Sequence, residues 1–333
     1  MQTAGAPLNS TPTLTIIIVS FNVCRDLREC LESVYASDCD EAVQVIVVDN
    51  ASGDDTAGMV REEFPAVELI CNSANVGFPR ANNQGLAIAQ GTFTLFLNPD
   101  TVVRPDTFAA CVRYMDEHTD VGLLGCKVRY PDGSIQYECA RNYPSLDAMV
   151  WEALYLHMLF PRNRHFGKTL MSYWDHEDSR EVPCILGAFM LTRRSILTAI
   201  GGMDDSVFMF MEDLDLCYRI RQAGWKVFYF ADTSIIHKAG RSQQAFAGSL
   251  KPTNAEAKYA FFRKHSGLAA ATVCRLIFLL QGVFRLTVSL VLIPVISTFP
   301  GTRPKLRGSW IVEDHWHLLQ WALGRRPNAE TSR

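Results

Sequence analysis

The chain has 333 residues, a formal net charge of −3, 48% hydrophobic and 20% charged residues. That composition describes one large or two small globular domains with ample core, and the weakly acidic balance argues against general nucleic-acid binding. The charge is uneven: Lys251–Arg333 holds 12 Lys and Arg against 4 Asp and Glu, net +8, so the remainder carries −11. A basic C-terminal region on an acidic body predicts an anionic partner surface, membrane phospholipid being the obvious one. The ten cysteines are spread singly with no CxxC, which argues against a zinc cage and fits small core residues in a reducing compartment. Residues 1–13 show no basic-then-apolar signal pattern and are expected to be a disordered lead-in.

In chain order, Leu14–Val19 is an apolar β-branched run and reads as a buried strand. Leu27, Cys30, Leu31, Val34 and Tyr35 recur at helical spacing, predicting an amphipathic helix. Val43–Val48 is a second buried strand, followed by a short helix and a third strand at Val67–Cys71. Strand, helix, strand, helix, strand implies a parallel, doubly wound sheet, which binds ligands at the carboxyl ends of its strands. Ser20, Phe21 and Asn22, Asp49 and Asn50, and Asn75 and Gly77 all lie at or beside such ends. NVGFPRANNQG, which includes Asn83, supplies small residues for close backbone approach and amide donors. Phe93–Leu97 is the next strand, ending in Asn98-Pro99-Asp100-Thr101. Pro105 opens a helix to about His118, and Val121–Tyr130 is a strand. Residues 140–182 are aromatic, polar and irregular, the character of binding loops. GAFMLTRRSIL then reads as a strand, a Thr cap and a short helix.

Phe208–Phe230 packs three acids, Glu212, Asp213 and Asp215, into four positions before a short helix and an apolar strand. Projected at about 100° per residue, Glu212 and Asp215 fall on the polar face and Asp213 on the apolar one. A carboxylate turned inward is a candidate general base. Asp215 sits four before Arg219 and is expected to pair with it. Further on, Leu276–Phe299 is strongly apolar, with a charge-free run of 17 residues at Leu286–Thr302. That is marginal for a single membrane span, which needs about 20 residues within a range of roughly 17–25. Arg275 and Arg285 among apolar residues predict an interfacial helix with snorkelling basic side chains.

No GxG occurs, so the dinucleotide fingerprint is absent, and Met59-Val60 breaks the P-loop spacing of Gly53 and Gly58. The set IIIVSFN, VVDNASGDDT, NVGFPRANNQGL, FLNPDT, GAFMLTRR, GGMDDSVFMFMEDLDLCYRIRQAGW and His237 resembles the family 2 glycosyltransferases, in order over roughly residues 14–240. The closest likeness is to their rhamnosyltransferase-type members. The resemblance implies a GT-A domain over 14–250, Rossmann-like with a mostly parallel sheet, followed by a helical membrane-associating region over 251–333.

It also implies an inverting, nucleotide-sugar-dependent mechanism. Asp213 matches the family base, with Glu212 orienting the acceptor or supporting the loop. Asp49 matches the residue that holds the nucleotide base, and Ser20–Asn22 line the same pocket. Asp100 takes the last position of the metal-binding DxD motif for Mg2+ or Mn2+, and His237 matches a residue that in several members completes the metal site or contacts the diphosphate. Asn98 departs from a true DxD. Arg80 is a candidate to neutralise the leaving diphosphate. The expected donor is dTDP-rhamnose, with a UDP-sugar as alternative, and the expected acceptor is a polyprenol-linked saccharide at the inner face of the cell membrane. A non-catalytic scaffold subunit of a polysaccharide assembly complex is a competing class, as is a sugar-phosphate nucleotidyltransferase, which should carry a glycine-rich loop where this chain has SFNVCRD.

Overall fold

The computed structural model describes residues 12–38, 42–206, 208, 210–239, 250–296 and 308–325. The expected lead-in therefore lies outside the described residues except for Pro12 and Thr13. The chain divides into two compact units, one of residues 1–143 with 170–245 and one of residues 144–169 with 246–333.

The first unit opens as the alternation predicts: β1 (Leu14–Ser20), α1 (Cys24–Tyr35), β2 (Val43–Asp49), α2 (Thr56–Glu63), β3 (Glu68–Cys71), α3 (Phe78–Ile88) and β4 (Phe93–Leu97). All seven residues of β1 are buried, as a central strand covered on both faces must be. Then come β5 (Thr101–Val103), α4 (Thr107–Glu117), β6 (Val121–Arg129), β7 (Ala140–Arg141) and, in the second unit, α5 (Leu146–Ala153) and α6 (Leu156–Leu159). The first unit resumes with β8 (Arg180–Glu181), β9 (Cys184–Ile185), β10 (Phe189–Arg193), α7 (Arg194–Ile200), α8 (Glu212–Gln222) and β11 (Lys226–His237). The main sheet runs β3-β2-β1-β4-β10-β6-β11-β5, with β8 also on β11. β1 to β4 pair in parallel, and so do β6 and β11; β10, β5 and β8 are antiparallel to their neighbours.

Two local expectations are corrected. Thr192 is not a helix cap: it lies inside β10, and its hydroxyl donates to Gly122 O (2.7 Å). Asp215 is not on an exposed face: it is buried and accepts from Arg219 Nε at 2.6 Å. Arg219 also donates to Ile200 O (3.0 Å), so the expected pair exists as an internal tie rather than a surface one.

The second unit gathers α5 and α6 with α9 (Leu250–Ile296), interrupted at Gly267 (φ 85°), and α10 (Gly308–Ala322). The expected boundary at 250 thus misses residues 144–169, which pack with the C-terminal helices. Met149 joins Ala271, Cys274, Ile277 and Phe278 of α9 and Leu318, Trp321 and Ala322 of α10 in one buried cluster. Arg275 and Arg285 do not snorkel. Arg275 donates to Ala322 O (3.0 Å) and Trp321 O (3.1 Å), and Arg285 to Glu152 O (2.8 Å). Each supplies a donor to the last carbonyls of a neighbouring helix, groups that have no partner within their own helix.

Candidate active site

Strand register places the first group of residues. Ser20 lies opposite Asp49, and Asp49 opposite Cys71, in one row at the carboxyl edge of β1, β2 and β3. Asp49 is buried and its Oδ1 accepts from Ser52 N (3.3 Å). Ser20 is buried, and its Oγ has no hydrogen-bond partner among the described residues. Phe21 is half-buried beside it. Asn22 is exposed with φ 54°, and Ala51 has φ 66°. A non-glycine residue held in that region costs about 1–3 kcal/mol, and such strain gathers at ligand sites.

Several other residues expected at the ligand site hold loops in place. Asn50 Nδ2 donates to Asn75 Oδ1 (2.7 Å), and Asn50 Oδ1 accepts from Val76 N (3.0 Å) and Asn72 Nδ2 (3.1 Å). Asn50 and Asn75 thus staple the turn between β3 and α3. Gly77 (φ 88°) would place a Cβ 2.8 Å from Phe208 O. Its missing side chain lets the backbone approach the segment that enters α8, where Phe78 N donates to that same carbonyl (3.1 Å). Asn83 spends both ends of its amide on the Met203 backbone, at 2.8 and 2.9 Å. Arg80 is exposed and pairs with Asp205 at 3.4 Å. None of these three contacts joins Asn83 or Arg80 to the residues that follow.

Asp100 and His237 do come together. The antiparallel pairing of β5 and β11 sets His237 opposite Thr101. Both Asp100 and His237 are buried, and His237 Nε2 lies 3.2 Å from Asp100 Oδ1 and 3.3 Å from Asn98 Nδ2. Lys238, next in the chain, holds the strand end down. Its amide donates to Asp100 O (3.0 Å), and its Nζ reaches Asp26 (2.7 Å) and Glu29 (2.5 Å) on α1.

The sequence reading missed Gln136. It is buried, its Nε2 donates to His237 O (2.6 Å), and its Oε1 faces His237 Nδ1 (3.0 Å). Because the amide nitrogen is committed to the carbonyl, Oε1 must accept the proton from Nδ1. With the proton on Nδ1, it is Nε2 that is directed at Asn98 and Asp100, and in the neutral ring Nε2 carries the lone pair. Two acceptors, Nε2 and Asp100 Oδ1, then face each other. Adjacent ligands of an octahedral Mg2+ at about 2.1 Å stand about 3 Å apart, so the pair fits a divalent cation. Among the described residues no group of three or more His, Cys, Asp or Glu side chains forms a metal cage.

The third group surrounds Asp213. Phe210 (φ 70°) and Met211 (φ 67°) are both left-handed immediately before α8, a strained entry that presents the first turn of the helix. Asp213 is buried, as its helical phase predicts. Three donors converge on its carboxylate: Arg141 Nη2 (2.5 Å) and Gly187 N (3.1 Å) on Oδ2, and Leu214 N (2.9 Å) on Oδ1. Arg141, from β7, was also missed; it lies in a stretch without periodicity, and only its isolated charge could have flagged it. Glu212 is half-buried rather than on a solvent face, with Oε2 buried and unpartnered among the described residues. Burial, together with the adjacent Asp213 charge, pushes its carboxyl up to about 8.

The model of the glycosyltransferase-like family 2 matches residues 12–257. The chain is 28% identical over 269 residues to the N-acetylglucosaminyl-diphospho-decaprenol L-rhamnosyltransferase of Mycobacterium tuberculosis, spanning 77% of this chain and 86% of that protein. It is 26% identical over 240 residues to the rhamnosyltransferase WbbL of Escherichia coli, spanning 69% and 85%. Among solved structures, the mannosyltransferase PcManGT of Pyrobaculum calidifontis, in complex with GDP-Man and Mn2+, aligns with a TM-score of 0.54 at 17% identity, over 94% of this chain and 88% of that one. GalNAc-T7 with UDP, GalNAc and Mn2+ aligns with a TM-score of 0.52 at 14% identity, over 68% and 44%. At such identities the structural likeness shows the fold, and the family match supplies the chemistry class. The chain belongs to the glycosyltransferase-like family 2 and is a glycosyltransferase with the GT-A fold.

Proposed function

We propose that the protein is an inverting transferase that moves rhamnose from dTDP-rhamnose onto a polyprenol-linked saccharide. The setting is the cytoplasmic face of the membrane, in bacterial cell-surface polysaccharide or cell-wall synthesis. The transferred sugar and the lipid-linked acceptor are supported by the two rhamnosyltransferase relatives, one of them named for transfer to N-acetylglucosaminyl-diphospho-decaprenol. The membrane setting is supported by the basic C-terminal region and by an apolar helical stretch, Asn254–Ser289, long enough to cross a bilayer by length and composition.

The observation that carries the mechanism is the buried Asp213 carboxylate, fixed by Arg141 and two backbone amides. Asp213 takes the proton from the acceptor hydroxyl as its oxygen bonds to the anomeric carbon. The bond from that carbon to the diphosphate breaks on the opposite face, and the nucleoside diphosphate leaves. Glu212, mostly protonated at neutral pH with its carboxyl near 8, can donate a hydrogen bond that orients the acceptor. Asp49 and Ser20–Asn22 line the nucleotide end. Asp100 and His237, with Asn98, would hold Mg2+ or Mn2+, phosphate oxygens completing its shell; when bound, the cation neutralises charge on the leaving diphosphate. Gln136 keeps the His237 lone pair turned toward Asp100.

The test is direct. The purified protein is given dTDP-rhamnose or a panel of UDP-sugars with a synthetic polyprenyl-diphosphate saccharide, and the product's anomeric configuration is read by NMR. Transfer from dTDP-rhamnose with inversion is expected. Transfer from a UDP-sugar alone would replace the donor, retention of configuration would remove Asp213 as a simple base, and no transfer from any donor would favour the scaffold reading.

A further inference from the structure

The second unit has an outward surface of the wrong polarity for water. α9 buries Ala271, Cys274, Ile277 and Phe278 against α10. A helix packed on one face should be polar on the other. Instead its outer face carries Val273, Leu276, Leu280, Val283 and Phe284, each 41–60% exposed. A second apolar element stands in the same unit. The knuckle made by the end of α5 and by α6 exposes Leu154, Met158, Leu159 and Phe160, at 44, 65, 68 and 52%. Arg285 locks the two elements together: it donates to Glu152 O at the base of the knuckle, and its guanidinium lies 4.5 Å from the centre of the Tyr155 ring.

Exposed cations flank this surface. Arg162 and Arg164, just past the knuckle, are exposed. Arg263 and Lys264 of α9 are exposed as well, and the described stretch from Ala257 to Ser289 holds five Lys and Arg and no Asp or Glu. Clustered exposed apolar side chains mark an interaction surface, and an apolar face flanked by exposed cations matches the interface of an anionic bilayer.

We propose that the knuckle Leu154–Phe160 inserts into the lipid interface beside the outer stripe of α9, so that the membrane-binding surface includes a segment from the middle of the chain as well as the C-terminal helices. The partner is an anionic phospholipid surface. The helix lies on the membrane and does not span it, because its inner face is already packed on α10. This rests on the reading that the acceptor is lipid-linked.

Flotation of the full-length protein with phosphatidylcholine vesicles, with and without phosphatidylglycerol, tests it. Wild type is expected to partition onto anionic vesicles and to be released by alkaline carbonate. M158D/L159D and L276D/L280D should each weaken partitioning by at least about tenfold, while retaining the wild-type circular dichroism spectrum and transfer to a detergent-solubilised acceptor. A tryptophan placed at 159 should be quenched by brominated lipid. Wild-type partitioning by M158D/L159D would overturn the knuckle while leaving the lipid-linked acceptor in place. Carbonate-resistant binding would indicate a span, and a concentration-dependent dimer abolished by the same substitutions without any vesicle binding would show a second copy to be the partner; either overturns the proposal. Failure of the acceptor reading would appear separately, as absent transfer in detergent.

Discussion

Arg141 Nη2 stands 2.5 Å from Asp213 Oδ2, and both side chains are largely removed from solvent. The pair joins β7 to the first turn of α8, two elements 72 positions apart in the chain. Asp213→Asn removes the base while keeping the shape, so transfer should fall about 10²–10⁴-fold with donor affinity unchanged. Steady-state kinetics beside calorimetric titration of the donor nucleotide would separate the two. Transfer within tenfold of wild type would remove Asp213 from the chemistry.

Removing the partner has a different signature. Arg141→Ala leaves the carboxylate buried without its cation, which costs about 3–5 kcal/mol when such a pair is broken. A lowered melting temperature should accompany the lost activity, with Arg141→Lys recovering stability better than transfer, because lysine restores charge but not the guanidinium's fixed geometry. Equal melting temperatures for Arg141→Ala and wild type would contradict this.

Gln136 makes no contact that depends on charge, yet it sets the face His237 presents. Gln136→Ala should weaken Mn2+ binding about 10–100-fold, measured by electron paramagnetic resonance of free Mn2+ in the presence of nucleoside diphosphate. Leu substitution at 136 should do the same without emptying the site of volume. Unchanged Mn2+ affinity in both variants would mean that the imidazole is oriented by the strand alone.

Glu212 gives a pH signature. Its folded value, about 8, lies above the ordinary 4.5, so between these limits the folded state binds more protons than the unfolded state. Its contribution to stability is therefore full below about 4.5 and lost as pH rises through 8. Glu212→Gln should flatten the decline of melting temperature across that window; an unaltered slope would show that other groups cause it.

Gly77→Ala introduces a Cβ 2.8 Å from Phe208 O at φ 88°. The cost should exceed about 1 kcal/mol, and it should appear as lost activity as well, since the same carbonyl ties down the entry to α8. A neutral effect on both stability and rate would rule out this contact as a constraint on the loop.

Periodicity made the sheet legible. β1, α1, β2 and β4 follow from runs and spacings that depend on only a few neighbouring residues, and the inward phase of Asp213 follows from its position on the helix. The remainder depends on partners distant in the chain. Asp215 lies on the polar side of a helical projection, but Arg219 and the Ile200 carbonyl compensate its burial. Arg141 and Gln136 lie in segments with no repeating pattern, so nothing local distinguishes them from surface polar residues. Asn50, Asn75 and Asn83 were legible as amides near a site, yet side-chain type does not say whether an amide faces a ligand or a loop. Arg275 and Arg285 look like interfacial cations until the helix ends they complete are brought beside them.

β11 pairs Phe230 with Cys126 and Ser234 with Lys127, so it advances four residues while β6 advances one. The three surplus residues are pinned by Ala231 N to Ser179 Oγ (2.8 Å) and by contact between the Thr233 and Thr107 hydroxyls (3.1 Å). Because side chains alternate with a period of two, an odd surplus inverts the phase of everything downstream. Uninterrupted pairing from Phe230 would have put position 237 on the opposite side of the sheet from Asp100. The meeting of His237 with Asp100 is thus a matter of parity, decided five residues before the histidine by residues that never touch it.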